Sequence, residues 1–127
     1  MEPALSALSH WPVQIRLVPP SAAFLKNADL LVLADCVGAA YPDLHRDLLP
    51  GKVVMMGCPK FDDADSYVEK FAQIFRTAGL KSITVGIMEV PCCGGLYQIA
   101  ARALELAEVS IPLEKVVIGV KGDRQAP

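Results

Sequence analysis

Three short segments rich in apolar residues constrain this chain more than any other feature: the unbroken runs Leu30-Leu31-Val32-Leu33-Ala34 and Val53-Val54-Met55-Met56, and residues 82–90, Ser82-Ile83-Thr84-Val85-Gly86-Ile87-Met88-Glu89-Val90, apolar at five of nine positions. A membrane span needs roughly 18 or more consecutive apolar residues, so these are too short to cross a bilayer. They have the length and composition of strands buried on both faces, which is the condition of strands in a parallel sheet. Parallel neighbours cannot be joined by a tight turn and need a crossover segment, usually a helix.

The residues between the runs supply such crossovers. Asp62 is placed to cap a helix, with Asp63 and Asp65 in its first turn, and Tyr67, Val68, Phe71, Ile74 and Phe75 fall on one helical face up to a stop at Gly79. Leu96, Ile99, Ala100, Ala103, Leu104 and Ala107 mark a second helix that opens at Gly94-Gly95. Shorter helical pieces are expected from Ser21 to Lys26, and from Tyr41-Pro42-Asp43 to about Pro50-Gly51. Residues 13–18 alternate apolar and polar side chains and stop at Pro19-Pro20, which reads as a strand, and residues 116–120 read as a final one. Strands at 13–18, 29–34, 52–56, 82–90 and 116–120, with helices between them, predict one α/β domain over residues 1–127. Its core is a doubly wound, mostly parallel sheet of about five strands with helices on both faces, of the Rossmann or flavodoxin type.

Composition narrows the class of function. With 53% hydrophobic and 20% charged residues the chain is globular, and a formal charge of -2 gives no electrostatic reason to expect nucleic acid or an anionic membrane as partner. Met1-Glu2-Pro3-Ala4 has no basic segment leading into an apolar one, so the expectation is a cytoplasmic protein without a signal peptide. Disulfides are rare in that compartment, and the four cysteines call for another explanation.

Their positions supply one. Cys36 follows the first buried run, Cys58 the second, and Cys92-Cys93 the third, so all four are expected at strand carboxyl ends and none within a helix. In a parallel sheet those ends lie side by side, on the edge where open α/β sheets bind ligands. Gly38, Gly57, Gly94 and Gly95 permit close backbone approach there, and Pro59 and Pro91 stiffen two of the loops. A helix opening at Gly94-Gly95 turns its positive end toward Cys92 and Cys93, which favours thiolate, the form that binds metal. Four thiolates suit tetrahedral zinc or an iron–sulfur cluster. Structural zinc commonly uses Cys-x-x-Cys pairs, and this sequence has none. Adjacent Cys92 and Cys93 fit the spread iron corners of a cluster better than one small ion. A thiol redox enzyme or sensor, with Cys92 or Cys93 as low-pKa thiolate and another cysteine to resolve it, is the rival reading, and a structural zinc-binding interaction domain is a third.

Other residues are assigned blander roles. Lys60 either offsets thiolate charge or is an ordinary exposed lysine. Asp35 and Glu89 read as caps or proton-handling groups, since a carboxylate beside thiolates is repelled. His10 and His45 lack partners at ligand spacing and read as loop or surface structure, and Trp11 as a packing aromatic. Asp62-Asp63-Ala64-Asp65 lacks the glycine and distal glutamate of a calcium loop. No Gly-x-Gly-x-x-Gly or Walker-type loop is present.

Ser9-His10-Trp11-Pro12-Val13-Gln14, Ala34-Asp35-Cys36, Gly57-Cys58-Pro59-Lys60 and Met88-Glu89-Val90-Pro91-Cys92-Cys93-Gly94-Gly95 occur in that order. Together they resemble the C-terminal domain of a family of anaerobe iron–sulfur proteins, the 4Fe-4S ferredoxin-type cluster-binding oxidoreductases, from about Ser9 to about Gly122. Members of that family normally carry an N-terminal ferredoxin module with two closely spaced cysteine runs. This sequence has no such runs, which marks a stand-alone version or an excised domain, and the ferredoxin clusters are not carried over. The adjacent cysteines also look like those of the cluster-bearing subunit of respiratory complex I. The resemblance implies one 4Fe-4S cluster with Cys36, Cys58, Cys92 and Cys93 as ligands, and electron transfer rather than catalysis within the domain. It also implies a redox partner protein, such as a ferredoxin or an oxidoreductase subunit, and leaves a homo-oligomer open.

Overall fold

A computed structural model of the chain describes residues 5–60 and 62–125, and at 91–94 the backbone alone. The three apolar runs form the strands β1 (Asp29–Ala34), β2 (Val53–Gly57) and β3 (Ser82–Met88), and a fourth strand, β4 (Leu113–Ile118), completes the sheet. The order is β2-β1-β3-β4 and every neighbouring pair is parallel. The register aligns Leu30 with Val53 on one side and Ile83 on the other, and Ile83 in turn with Leu113. β1 is therefore bonded on both edges, and its residues Leu30 to Leu33 are fully buried. This explains why its sequence is a continuous apolar string and not an alternating one.

Helices α1 (Asp35–Ala40), α2 (Ala64–Thr77) and α3 (Pro91–Ala107) follow β1, β2 and β3. Successive strand residues point to opposite faces. A Cβ on Gly38 of α1 would stand 3.4 Å from Met56, whereas one on Gly57 would run into Tyr67 of α2, so α1 and α2 cover opposite faces. Helix α3 packs against α2 on the second face, through a stripe that includes the fully buried Ala100 and Ala103. Helix α2 is anchored by Phe71, fully buried, stacked on Phe75 and set edge-on to Tyr67. A π-helical turn, Leu44–Leu48, extends the cover after α1. There Asp47 accepts a 2.5 Å hydrogen bond from Tyr41 and a 2.9 Å bond from Arg124, which fastens the end of the described chain to this turn. Among the described residues no helix is long and apolar enough to cross a membrane.

Several expectations need correcting. The sheet has four strands, because residues 13–18 contribute a single bridge, Gln14 to Met56, and then turn. The amides of Leu17 and Val18 both donate back to the Gln14 carbonyl, leaving none of that segment to extend a ladder. β4 begins at Leu113, earlier than the apolar run at 116–120. β3 ends at Met88, with Glu89 and Val90 between it and the start of α3 at Pro91, and the Glu89 amide makes a last bond to Ile118 of β4. Residues 21–26 supply only a 3₁₀ turn, Ala23–Leu25. Asp63, not Asp62, caps α2, accepting from the amides of Asp65 and Ser66. Trp11 is 76% exposed and packs in no core. Residues 1–4, read for a leader, lie outside the described ones.

His10, expected to be loop or surface structure, is a joint. Its Nε2 accepts the Val54 amide of β2 at 2.9 Å, and its ring stacks on Phe24 with centroids 4.4 Å apart. The proton of the neutral ring must then sit on Nδ1, which is buried and finds no hydrogen-bond partner among the described residues. Desolvation lowers the pKa below its ordinary value and outweighs the Pro12 carbonyl, which acts the other way. The unfolded chain therefore takes up a proton near pH 6.5 while the folded chain resists it, and stability falls as pH drops below that value. Thermal melts of the wild type between about pH 7 and pH 5.5 should show this loss, and His10→Gln should show a shallower pH slope over that window. Equal slopes would sink the assignment.

Candidate functional site

The sheet order places β1 and β3 side by side, while the connections from their carboxyl ends run in opposite directions, α1 toward β2 and α3 toward β4. This is the switch point at which open α/β sheets leave a crevice. The cysteine segments border it. Cys36 is the second residue of α1, directly after β1, and its thiol is exposed. Cys58 directly follows β2 and is a half-buried free thiol. Cys92 and Cys93 are the second and third residues of α3, two residues beyond the β3–α3 link Glu89-Val90.

Three of the four cysteines thus lie in the first turn of a helix, contrary to the expectation that none does. Proline accounts for the difference at α3: at the first helical position its missing N–H costs nothing and its fixed φ suits the helix, so α3 starts at Pro91, ahead of Gly94-Gly95. The displacement strengthens the electrostatic case, because Cys92 and Cys93 stand within the positive end of a 17-residue helix instead of before it.

Contacts join these segments across the end of β1. A Cβ on Gly95 would stand 3.7 Å from Pro59 Cγ, so the amino-terminal part of α3 lies against the Cys58-Pro59 loop. Burial and Asp62 have the larger effects on the Tyr67 phenol and raise its pKa; the Cys58 backbone lies near enough to lower it slightly, and the Asp35 carboxylate, one residue before Cys36, is near enough to add to the rise. The side chains of Cys92 and Cys93 lie outside the described residues, and so does the expected meeting of four sulfurs. Among the described residues no three His, Cys, Asp or Glu side chains are grouped to hold a metal ion.

Neighbouring charges sort into roles. Lys60 is exposed in the Cys58 loop. The Glu89 carboxylate accepts the Val120 amide at 3.1 Å and so ties the turn after β4 to the β3–α3 link; it does not cap α3, whose N-cap is Val90. Asp35 occupies the first turn of α1. The residue that sequence reasoning missed is Tyr67, which at helical spacing looks like any other core aromatic. Its hydroxyl donates to Asp62, whose carboxylate also faces Arg16 at 3.6 Å.

A cavity of about 440 Å³ lies elsewhere, lined by Asp29, Lys52, Ser82, Thr84 and Glu114 at the amino edge of the sheet. It is remote from the cysteines, and its Asp29 and Ser82 side chains already bond each other at 2.7 Å.

A family model described as a Rossmann-like domain matches residues 22–125, which takes in all four strands and all four cysteines. The chain belongs to the Rossmann-like domain family. This Rossmann-like domain is also 33% identical over 118 residues to an uncharacterized protein of Archaeoglobus fulgidus, a match covering 93% of this chain and 83% of that one. No solved structure matches it.

Proposed function

We propose that this Rossmann-like domain is an iron–sulfur redox protein that passes electrons through one 4Fe-4S cluster at the carboxyl edge of its sheet. The ligands would be Cys36, Cys58, Cys92 and Cys93. The observation that carries the reading is the convergence of the cysteine segments: three parallel strands deliver them to one edge, and the turn holding Gly95 rests on the Cys58-Pro59 loop. The donor set fits the group, since thiolates are the usual cluster ligands and the α3 amino terminus favours their charged form. When bound, the cluster would supply reversible one-electron chemistry. The chain's own residues would hold it, neutralise part of its charge from Lys60, and leave Cys36 at the surface where a redox partner protein, a ferredoxin or an oxidoreductase subunit, can approach.

The order of motifs from Ser9-His10-Trp11-Pro12 to Cys92-Cys93-Gly94-Gly95 supports the finer kinship with the C-terminal domain of anaerobe 4Fe-4S oxidoreductases. The reducing cytoplasm is the matching location, because free thiols persist there.

Anaerobic purification with iron, acid-labile sulfide and zinc analysis tests the proposal. A brown protein with about four irons and four sulfides per chain is expected. A colourless protein with one zinc would replace the proposal with a structural zinc domain. A metal-free protein with a fast-reacting thiol at Cys92 or Cys93 would replace it with a thiol redox enzyme or sensor.

A further inference from the structure

We infer that Tyr67 is the positioning residue of the Cys58 arm, its hydroxyl tying the loop that carries this thiol to helix α2. The inference deepens the proposed function, since Cys58 is one of the proposed ligands.

Tyr67 lies in the first turns of α2 and is 1% exposed. Its ring passes beneath Gly57, the last residue of β2. A Cβ added to Gly57 would come within 2.8 Å of Ile15 Cδ1 and 2.9 Å of Tyr67 Cζ, and nearer still to the phenol oxygen. The tyrosine therefore fills the space that a side chain at 57 would need, and the glycine is what admits it. From there the hydroxyl donates to the Asp62 carboxylate, with the Cys58 backbone close by. The loop also closes on itself, because the Asp62 amide donates to the Cys58 carbonyl at 3.1 Å. Asp62 is steadied from outside by Arg16, whose own carbonyl accepts a 3.0 Å bond from Lys70 of α2.

The oxygen is held as a donor: burial and the neighbouring Asp62 both raise its pKa, so the phenol keeps its proton at physiological pH. A buried hydroxyl that bonds the carboxylate of Asp62, whose own amide closes the loop on the Cys58 carbonyl, fixes that loop's approach to the sheet edge. Pro59 then meets α3 at Gly95, so this seating sets how the loop carrying Cys58 approaches the amino-terminal part of α3. The ring itself is held independently by its edge-on contact with Phe71, 6.5 Å between centroids. Removing the oxygen alone should therefore loosen the loop without dismantling the helix.

The test uses the full chain with Tyr67→Phe. In metal-free, reduced protein, site-resolved alkylation rates at Cys36 and Cys58 are compared with wild type by mass spectrometry. The expected result is a roughly three- to tenfold faster reaction at Cys58, the factor one net hydrogen bond lends to a local opening equilibrium, with Cys36 unchanged and the far-UV circular dichroism retained. In iron-loaded protein, altered electron paramagnetic resonance line positions and faster sulfide loss should accompany it. An unchanged Cys58 rate would overturn the inference. Should Tyr67→Phe fail to fold, Asp62→Ala leaves the core ring in place, removes the same loop tie and must raise the Cys58 rate. Should the wild type bind no cluster, the proposed function fails, yet the thiol rates still decide the role of Tyr67.

Discussion

Replacing Cys58 with alanine is expected to cut the iron and sulfide content of anaerobically prepared protein to roughly a tenth of wild type or less, because in the proposed site each thiolate would close one iron corner of the 4Fe-4S cluster. Cys36→Ala and Cys92→Ala should behave alike. Cys36 is exposed and Cys58 half-buried, so neither substitution opens a cavity in the core, and the variants should keep the helical circular dichroism of wild type. Loss of colour together with loss of helical signal would instead mean that the cluster organises the sheet. Cys93→Ala is the discriminating member of the series. Full iron content in that variant would show that the adjacent pair does not act together and that the fourth ligand comes from elsewhere.

The second large effect is on stability. Phe71→Ala should destabilise the protein by about 3–5 kcal/mol, the range for emptying a fully buried phenylalanine site. Its ring has no exposure and stacks on Phe75 at 5.8 Å, so little of the void can be closed by neighbours already committed to each other. Domains of this size are commonly stable by about 5–15 kcal/mol, so the change consumes a large part of the reserve. Urea denaturation with an unchanged slope and a much lower midpoint checks it. A loss under about 1 kcal/mol would show that α2 is not the principal cover of this face.

The central strands were legible because burial on both faces writes itself into sequence as an unbroken apolar string, as at Leu30-Leu31-Val32-Leu33. Where that condition lapses the pattern misleads. Residues 13–18 alternate like a strand because Val13 and Ile15 do pack inward beside β2, but the turn on Gln14 ends the pairing after one bridge. β4 carries the exposed Glu114 and Lys115 directly after its first residue, Leu113, which hides its first half, and its apolar signal runs on into the turn after Ile118. Helix α1 has six residues with Gly38 among them, too few for any period to show. At the site, the cysteines were legible as residues that follow strands. The order β2-β1-β3 that sets Cys58 and the α3 cysteines on either side of Cys36 is a property of tertiary pairing, and no local pattern encodes it. The hydroxyl of Tyr67 is invisible for a related reason: spacing reports which face a ring occupies but not what its oxygen meets.

The way the two margins of the sheet are finished limits how this protein can associate. Along β2 the outer amides are already taken, Val54 by His10 and Met56 by the Val13 carbonyl, while Ile15 returns a bond to the Met56 carbonyl. Along β4, Gln125 donates to Val117 and Arg124 bridges Ile118, and the remaining length presents Glu114 and Lys115. Unpaired strand margins are templates on which other chains polymerise, and charge or cover on them is the usual defence. A second copy therefore finds no ready ladder to extend on the β2 side and a charged one on the β4 side. Self-association by strand addition along these described margins is disfavoured even at high concentration.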